Sequence, residues 1–373
     1  MKKYLKQITR VSLLLAILGS STAFADSPVW GTYKVECPAN SETYIGITTT
    51  RAPVFTGKVQ SVQSGTTNIV AQGEPNWSVN QFVYVVGSQT NHYYLKFTSG
   101  ELEGAWYDIK SNSSSDVEIE IGSAELAKIA VDDTFQIIPH WTMATLFPNG
   151  GGFARAESKR SSLNRTVLWK KTKYGENGLE YPKGENGAAL AKYYYRKYEK
   201  IDSWLDINGN DASNVVVEPN TYFKAVQPAT ITSTVCYSAV VPMCATSFEL
   251  FTLEDEAGKG AAQHIYISVP SAVDMKMSDL TEALIDSGYF STSKNSRRAD
   301  IIYVYNNEKV GSSLPPDQTI SYRKNDSVSY WEDVNHENGD NYVLKAGSAL
   351  KILKKATATP VTYRCKVKPS YLK

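Results

Sequence analysis

Histidine is scarce in this chain: only His92, His140, His264 and His336 occur, and they are scattered. None falls in an H-E-x-x-H run, and no G-x-S-x-G elbow or Cys-x-x-Cys pair is present. The usual signatures of zinc proteases, serine hydrolases and structural zinc sites are therefore missing. Gly150-Gly151-Gly152 follows no strand-to-helix phosphate motif and reads as a turn. Past the amino terminus no apolar run is long enough to cross a bilayer as a helix. Charge of one sign is also lacking, since 39 Lys and Arg face 38 Asp and Glu. That balance lacks the basic footprint of a nucleic-acid binder.

Residues 1–25 read as an export signal. Lys2, Lys3, Lys6 and Arg10 precede the short apolar stretch Val11–Leu18, and Ala23-Phe24-Ala25 supplies small residues for cleavage before Asp26. Taking four positive charges from a chain of net charge +1 leaves a mature part at −3. No Cys stands directly after the cleavage site and the carboxyl end, Lys366–Lys373, is polar, so neither a lipid anchor nor a membrane tail is expected. The expected destination is the periplasm, the cell surface or the exterior.

Twenty-four Tyr, with abundant Val, Ile and Thr between Gly, Asn and Ser, imply a mainly β protein. The stretch Tyr193–Val226 recurs from Ile320. In both, a Tyr-Arg-Lys strand (Tyr195–Lys197, Tyr322–Lys324) leads to Trp-x-Asp-[Ile/Val]-Asn (Trp204–Asn208, Trp331–Asn335). A wider parallel sets Thr134–Pro139 against Ile265–Pro270. The expected architecture is an amino-terminal β region at 26–130 and two sandwich- or barrel-like β-domains at 131–253 and 254–373. Each repeat carries one short helical insertion, at Thr142–Phe147 and at Asp279–Ser287, the latter capped by Ser278 and stopped by Gly288. Phe82–Val86 and Tyr93–Phe97 read as a hairpin, Gly175–Ala188 as an exposed loop and Glu254–Gly260 as a linker.

Four cysteines in an exported chain point to two disulfides. The preferred pairing of the three available is Cys236–Cys244 with Cys37–Cys365.

Three constellations bear on function. Asp206, Asn208, Asn210 and Asp211, and likewise Asp333, Asn335, Glu337 and Asp340, set oxygen donors at alternate positions, as Ca²⁺ requires. The sixth and twelfth positions depart from a calcium loop, and a strand-connecting turn explains the same residues. No cofactor is required, with Ca²⁺ as the alternative. Trp77, Tyr84, Tyr93, Tyr94, Trp106 and Tyr107 crowd one region. Of these Trp77, Tyr84, Tyr94, Trp106 and Tyr107 are candidate ligand-binding residues, against the competing reading that they fill a core. The basic stretch Arg155–Arg165 suits an anionic glycan or a solvated loop. Glu101 with Glu103, or Asp132 with Asp133, offers carboxylate pairs, but no catalytic residue can be assigned from them.

Trp77, Phe82-Val83-Tyr84, Tyr93-Tyr94-Leu95, Gly100 to Gly104 and Ile138 to Pro148, followed by Tyr193-Tyr194-Tyr195 and Trp204, form a set. This set resembles a family of uncharacterised exported β-rich bacterial proteins that share a GAlEGryy-type and a pyWTlatlF-type segment. The resemblance runs from about Trp30 to the end, and Ala105-Trp106-Tyr107 after Glu103-Gly104 departs from it. It implies export and a β-rich fold and carries no catalytic residues. The expected function is a non-catalytic structural or binding protein of the bacterial envelope or exterior, with a glycan or an envelope protein as partner. An extracellular polysaccharide hydrolase with acidic catalytic residues is the alternative.

Overall fold

Wherever apolar and polar residues alternate, the chain can bury one face of a strand and wet the other, and most such runs here are strands. The structure, a computed structural model, describes residues 28–158, 164–175, 178–182, 188–295, 298–325 and 327–372. The expected export signal and part of the basic stretch, 159–163, lie outside them. Strand makes up 43% of the protein and helix 8%, so the fold is mainly β. Among the described residues no helix is long and apolar enough to cross a membrane.

Six antiparallel strands close a barrel in the order Phe55–Val62, Asn68–Ala71, Asp116–Ile119, Trp106–Asn112, Tyr93–Phe97 and Thr134–Pro139. Every second residue fills it: Val59, Ile69, Leu95, Phe97, Val117, Ile119, Phe135 and Ile137 form one core with Trp77 and Phe82. Closure leaves no sheet edge in this unit. Register shifts at Val59/Ser61 and Ile109/Ser111 supply the bulges that help so small a barrel curve.

Two five-stranded sheets make the rest. The first runs Ile201–Asp206, Ala191–Tyr198, Val167–Lys170, Tyr222–Val226, Glu42–Gly46. The second runs Ser329–Glu332, Gln318–Lys324, Ile301–Tyr305, Ala349–Lys354, Gln263–Ser268. In each the Trp-bearing strand is outermost and the Tyr-Arg-Lys strand is next to it. Tyr195 faces Trp204 across one pair and Tyr322 faces Trp331 across the other. Both indoles are fully buried, and each N–H is spoken for, by Phe147 O at 2.9 Å and by Thr281 Oγ1 at 3.0 Å. A long pair covers each core: Trp30–Cys37 with Ser233–Val240, and Thr246–Phe251 with Thr362–Val367.

The shared element order corrects the wider parallel drawn from sequence. Thr134–Pro139 is a barrel strand, and Glu42–Gly46 holds the sheet position that Gln263–Ser268 holds in the second unit. The whole barrel lies between Gly46 and Trp141, so residues 26–130 supply both the barrel's first strands and an edge of the first sheet.

Smaller expectations change too. Phe82–Val86 is turn rather than strand, because the barrel already pairs Tyr93–Phe97 on both sides. The second helical insertion is a 3-10 turn, Met277–Leu280, followed by a π turn, Glu282–Asp286; Asp279 accepts from Lys276 N, and Ser278 is not the cap. Part of the expected exposed loop is a hairpin, Lys173–Gly175 with Gly178–Glu180, which tucks Tyr181 against Phe251. The expected linker is likewise a hairpin, Leu253–Glu254 with Gly260–Ala261.

No disulfide forms: all four thiols are free. Cys37 and Cys365 lie in the cores of different sheets. Cys236 points outward from its alternating strand, whereas Cys244 is buried.

Candidate functional site

The structure separates the residues that sequence had grouped. Trp77 packs inside the barrel between Phe55 and Phe82, at ring distances of 4.8 and 5.3 Å. Tyr94 is buried beneath Trp106 and His140. Tyr84 stacks on His92 at 4.0 Å, away from the others. Only Trp106 and Tyr107 stand together at a cavity.

The Asp/Asn loops close on themselves. Asp206 Oδ1 accepts from the backbone N–H groups of Asn208 and Asn210 at 2.8 and 2.9 Å, and Oδ2 from the Asn210 side chain. Asp333 Oδ1 accepts from the N–H groups of Asn335 and Glu337 at 2.8 and 2.9 Å. Asp211 and Asp340 likewise accept from the backbone of Ser213 and Trp331. These are Asx turns that spend their carboxylates on their own strands. Among the described residues, no three His, Cys, Asp or Glu side chains gather as donors for a metal.

The cavity, about 310 Å³, lies where the barrel and both sheets meet. Trp106, Tyr107 and Glu125 form the barrel wall, with Trp106 half-buried. Thr172, Leu179, Tyr181, Glu218 and Asn220 come from the first sheet and its hairpin. Ser247, Glu249, Tyr266 and Arg364 come from the second.

Close approach of backbones brings these walls together. Gly104 has φ +86°, and a Cβ there would lie 2.5 Å from Ala245 O, so only glycine fits. Beside it Glu103 Oε1 accepts from Ala245 N at 2.9 Å. Arg364 donates to both oxygens of Glu125, at 2.5 and 3.0 Å, and to Glu249 at 2.8 Å. The Tyr107 hydroxyl donates to Glu125 as well. Burial would lower Arg364, but Glu125, Tyr107 and Glu249 hold it above its ordinary value. Burial pushes Glu249 up, and Arg364 only partly offsets this. Tyr266 is pushed up to about 12, chiefly by burial, so its hydroxyl stays a donor.

Beneath the first-sheet wall sits a buried ion pair. Lys170 Nζ donates to Glu218 Oε1 and, at 2.7 Å, to Thr172 Oγ1. Burial alone would push Glu218 up; the Lys170 ammonium and the bonds from Lys170 and Thr172 hold it below the usual carboxylate range. Burial nonetheless lowers Lys170.

Among the described residues Glu218 Oε2 has no hydrogen-bond partner, and neither has Ser247 Oγ. Both residues are almost wholly buried, at 3% and 2% exposure, and both line the same cavity. Unsatisfied buried polar atoms are rare in native proteins because each costs about 1–3 kcal/mol. Sequence reasoning missed Glu218, Ser247, Tyr266 and Arg364, for none stands in a motif. Ser247 and Arg364 alternate with the core residues Phe248 and Cys365, so alternation alone places them on the face away from that core and gives no signal of a site.

No family model, curated protein or solved structure matches the chain.

Proposed function

We propose that this is an exported, non-catalytic binding protein of the bacterial envelope or exterior, and that the three-walled cavity accepts a short carbohydrate. Export rests on the amino-terminal signal and on the resemblance stated above. The observation that carries the binding reading is the pair of unpartnered buried atoms, Glu218 Oε2 and Ser247 Oγ, in two walls of one cavity. A ligand rich in hydroxyls satisfies both. A sugar also presents C–H faces to aromatic rings such as Trp106, Tyr181 and Tyr266, which offer contact area at low entropic cost. The Glu218 carboxylate disfavours an anionic group at that point of the wall.

The test is a glycan array probed with the mature chain, Trp106→Ala and Ser247→Ala. Saturable binding that Trp106→Ala abolishes and Ser247→Ala weakens supports the reading. No glycan bound, or binding indifferent to both changes, overturns it.

One observation favours a polysaccharide hydrolase. Glu249 is a cavity carboxyl pushed up by burial, the character of a general acid. Its candidate partners are committed, however: Glu218 to Lys170 and Glu125 to Arg364. Release of reducing sugar from a bound glycan, lost in Glu249→Gln, would establish the enzyme.

A further inference from the structure

The outer faces of the two sheets meet beside the cavity and carry lysines at regular cross-strand positions. On the first sheet Trp169 stands opposite Lys192 on one side and Lys224 on the other, and Lys224 stands opposite Tyr44. On the second sheet Lys351 stands between Tyr266 and Tyr303. Lys171 reaches over Tyr266 at 5.8 Å and links the two rows. The rows join through tyrosines: Tyr44 stacks on Tyr305 at 4.2 Å, and Tyr222 packs edge-on against Tyr266 at 6.4 Å.

Each ammonium lies over a ring. Lys192 Nζ is 4.0 Å and Lys224 Nζ 4.6 Å from the Trp169 centroid, and Lys351 Nζ is 4.3 Å from that of Tyr303. Cation–π contact holds these otherwise flexible side chains in place, which reduces the ordering cost of binding. All four lysines are partly exposed. Lys224 pairs with Glu42 at 2.8 Å, whereas no ion pair joins Lys192 or Lys351 to a carboxylate among the described residues.

We propose that this lysine and aromatic face is a second binding surface, and that its ligand is an acidic polysaccharide. Carboxylate or sulfate groups along the polymer meet the ammonium groups of Lys171, Lys192, Lys224 and Lys351, which span both sheets. A polymer with spaced charges suits a face on which lysines alternate with aromatic rings. Nucleic acid needs the denser basic footprint that this chain lacks. Repulsion agrees with the geometry. Burial and then Lys171 lower Lys351, while burial and then Lys224 lower Lys171, as happens where cations converge. The proposal shares with the cavity reading only the premise that the ligand is a glycan, and it uses different residues apart from Tyr266.

The test is binding of the mature chain to immobilised polygalacturonate and to dextran sulfate, with neutral dextran and duplex DNA as controls. Variants are Lys171→Glu with Lys351→Glu, the milder Lys351→Gln, and Trp106→Ala. The expected result is salt-sensitive binding to one or both acidic polymers and none to dextran. Lys351→Gln should weaken it about tenfold, the double charge reversal should abolish it, and Trp106→Ala should leave it intact. If the double variant melts early, Lys351→Gln alone decides. Binding to neither acidic polymer, binding unchanged in Lys351→Gln, or equal binding of DNA overturns the proposal. Loss in Trp106→Ala alone would instead assign the glycan to the cavity, and would overturn it too.

Discussion

Replacing Glu218 by Gln tests whether the Lys170 pair supports the cavity wall. Both side chains are nearly inaccessible, at 2% and 3% exposure, and among the described residues Lys170 Nζ has only Glu218 and Thr172 as hydrogen-bond partners. Gln keeps the shape but leaves a buried ammonium without its countercharge. Breaking one partner of such a pair costs about 3–5 kcal/mol. At roughly 2–4 °C per kcal/mol for a unit of 150–250 residues, Tm should fall by roughly 10 °C. Removing both charges, as Lys170→Met with Glu218→Leu, should recover most of that loss, because the pair's mutual attraction only repays its desolvation. The pH dependence has a definite sign. Glu218 is held below its ordinary value of 4.5 in the folded protein. Its contribution is therefore present in full above that value and is lost as pH falls through the lower, folded one. The wild-type and Glu218→Gln stability curves, from urea titrations at several pH values, should differ most near neutrality and converge in acid. A Glu218→Gln change below about 1 kcal/mol, or a double variant worse than the single one, would refute the reasoning.

Three further outcomes are expected. Gly104→Ala should destabilise by at least about 1–2 kcal/mol, since φ +86° alone costs that much and the added Cβ meets Ala245 O; chemical denaturation measures it, and a neutral result would mean the barrel stands off from the second sheet. In the native protein only Cys236 should react readily with a maleimide, because it is exposed, while burial pushes the Cys37 thiol up to about 11 and Cys365 to about 12; mass spectrometry finding Cys236 blocked in a disulfide would contradict the free-thiol arrangement. EDTA and added Ca²⁺ should both leave Tm unchanged, since Asp206 and Asp333 already accept from their own backbones; a rise with Ca²⁺ would restore the calcium reading.

Much of the strand content was legible because it is local. The Tyr-Arg-Lys strands depend on neighbours only, and they form as expected. The Asp/Asn loops were legible as turns for the same reason. What failed was non-local. Thr134–Pro139 and Ile265–Pro270 look alike because any short apolar strand does, and nothing in Glu42–Gly46 announces that its partner is Tyr222–Val226. The aromatic cluster misled because its members' surroundings are non-local: Trp77 and Tyr94 are buried and Tyr84 stacks on His92, which leaves Trp106 and Tyr107 at the cavity. The cavity could not be read at all, since its three walls come from segments that meet only once both sheets and the barrel are in place.

That origin also bears on how the cavity behaves. The barrel enters and leaves the first unit at one point, and the two crossings are tied there. Thr50 bridges to Val240, the Trp141 indole donates to Thr49 O at 3.2 Å, and Arg51 donates to Asn91 at 2.6 Å and His140 O at 3.3 Å. Around the cavity the Arg364 network and the contact of Gly104 with Ala245 clasp the barrel to the second sheet. Meanwhile the two sheets join edge to edge, through Gly46 N to Gly347 O at 2.6 Å and Ser268 N to Asn220 O at 2.8 Å. A unit held by two chain crossings and a separate clasp has little freedom to hinge. The walls are thus set before any ligand arrives, so little ordering cost remains to be met on binding. On the proposed reading, affinity should follow how well a ligand's hydroxyls meet Glu218 and Ser247, and not a closing motion.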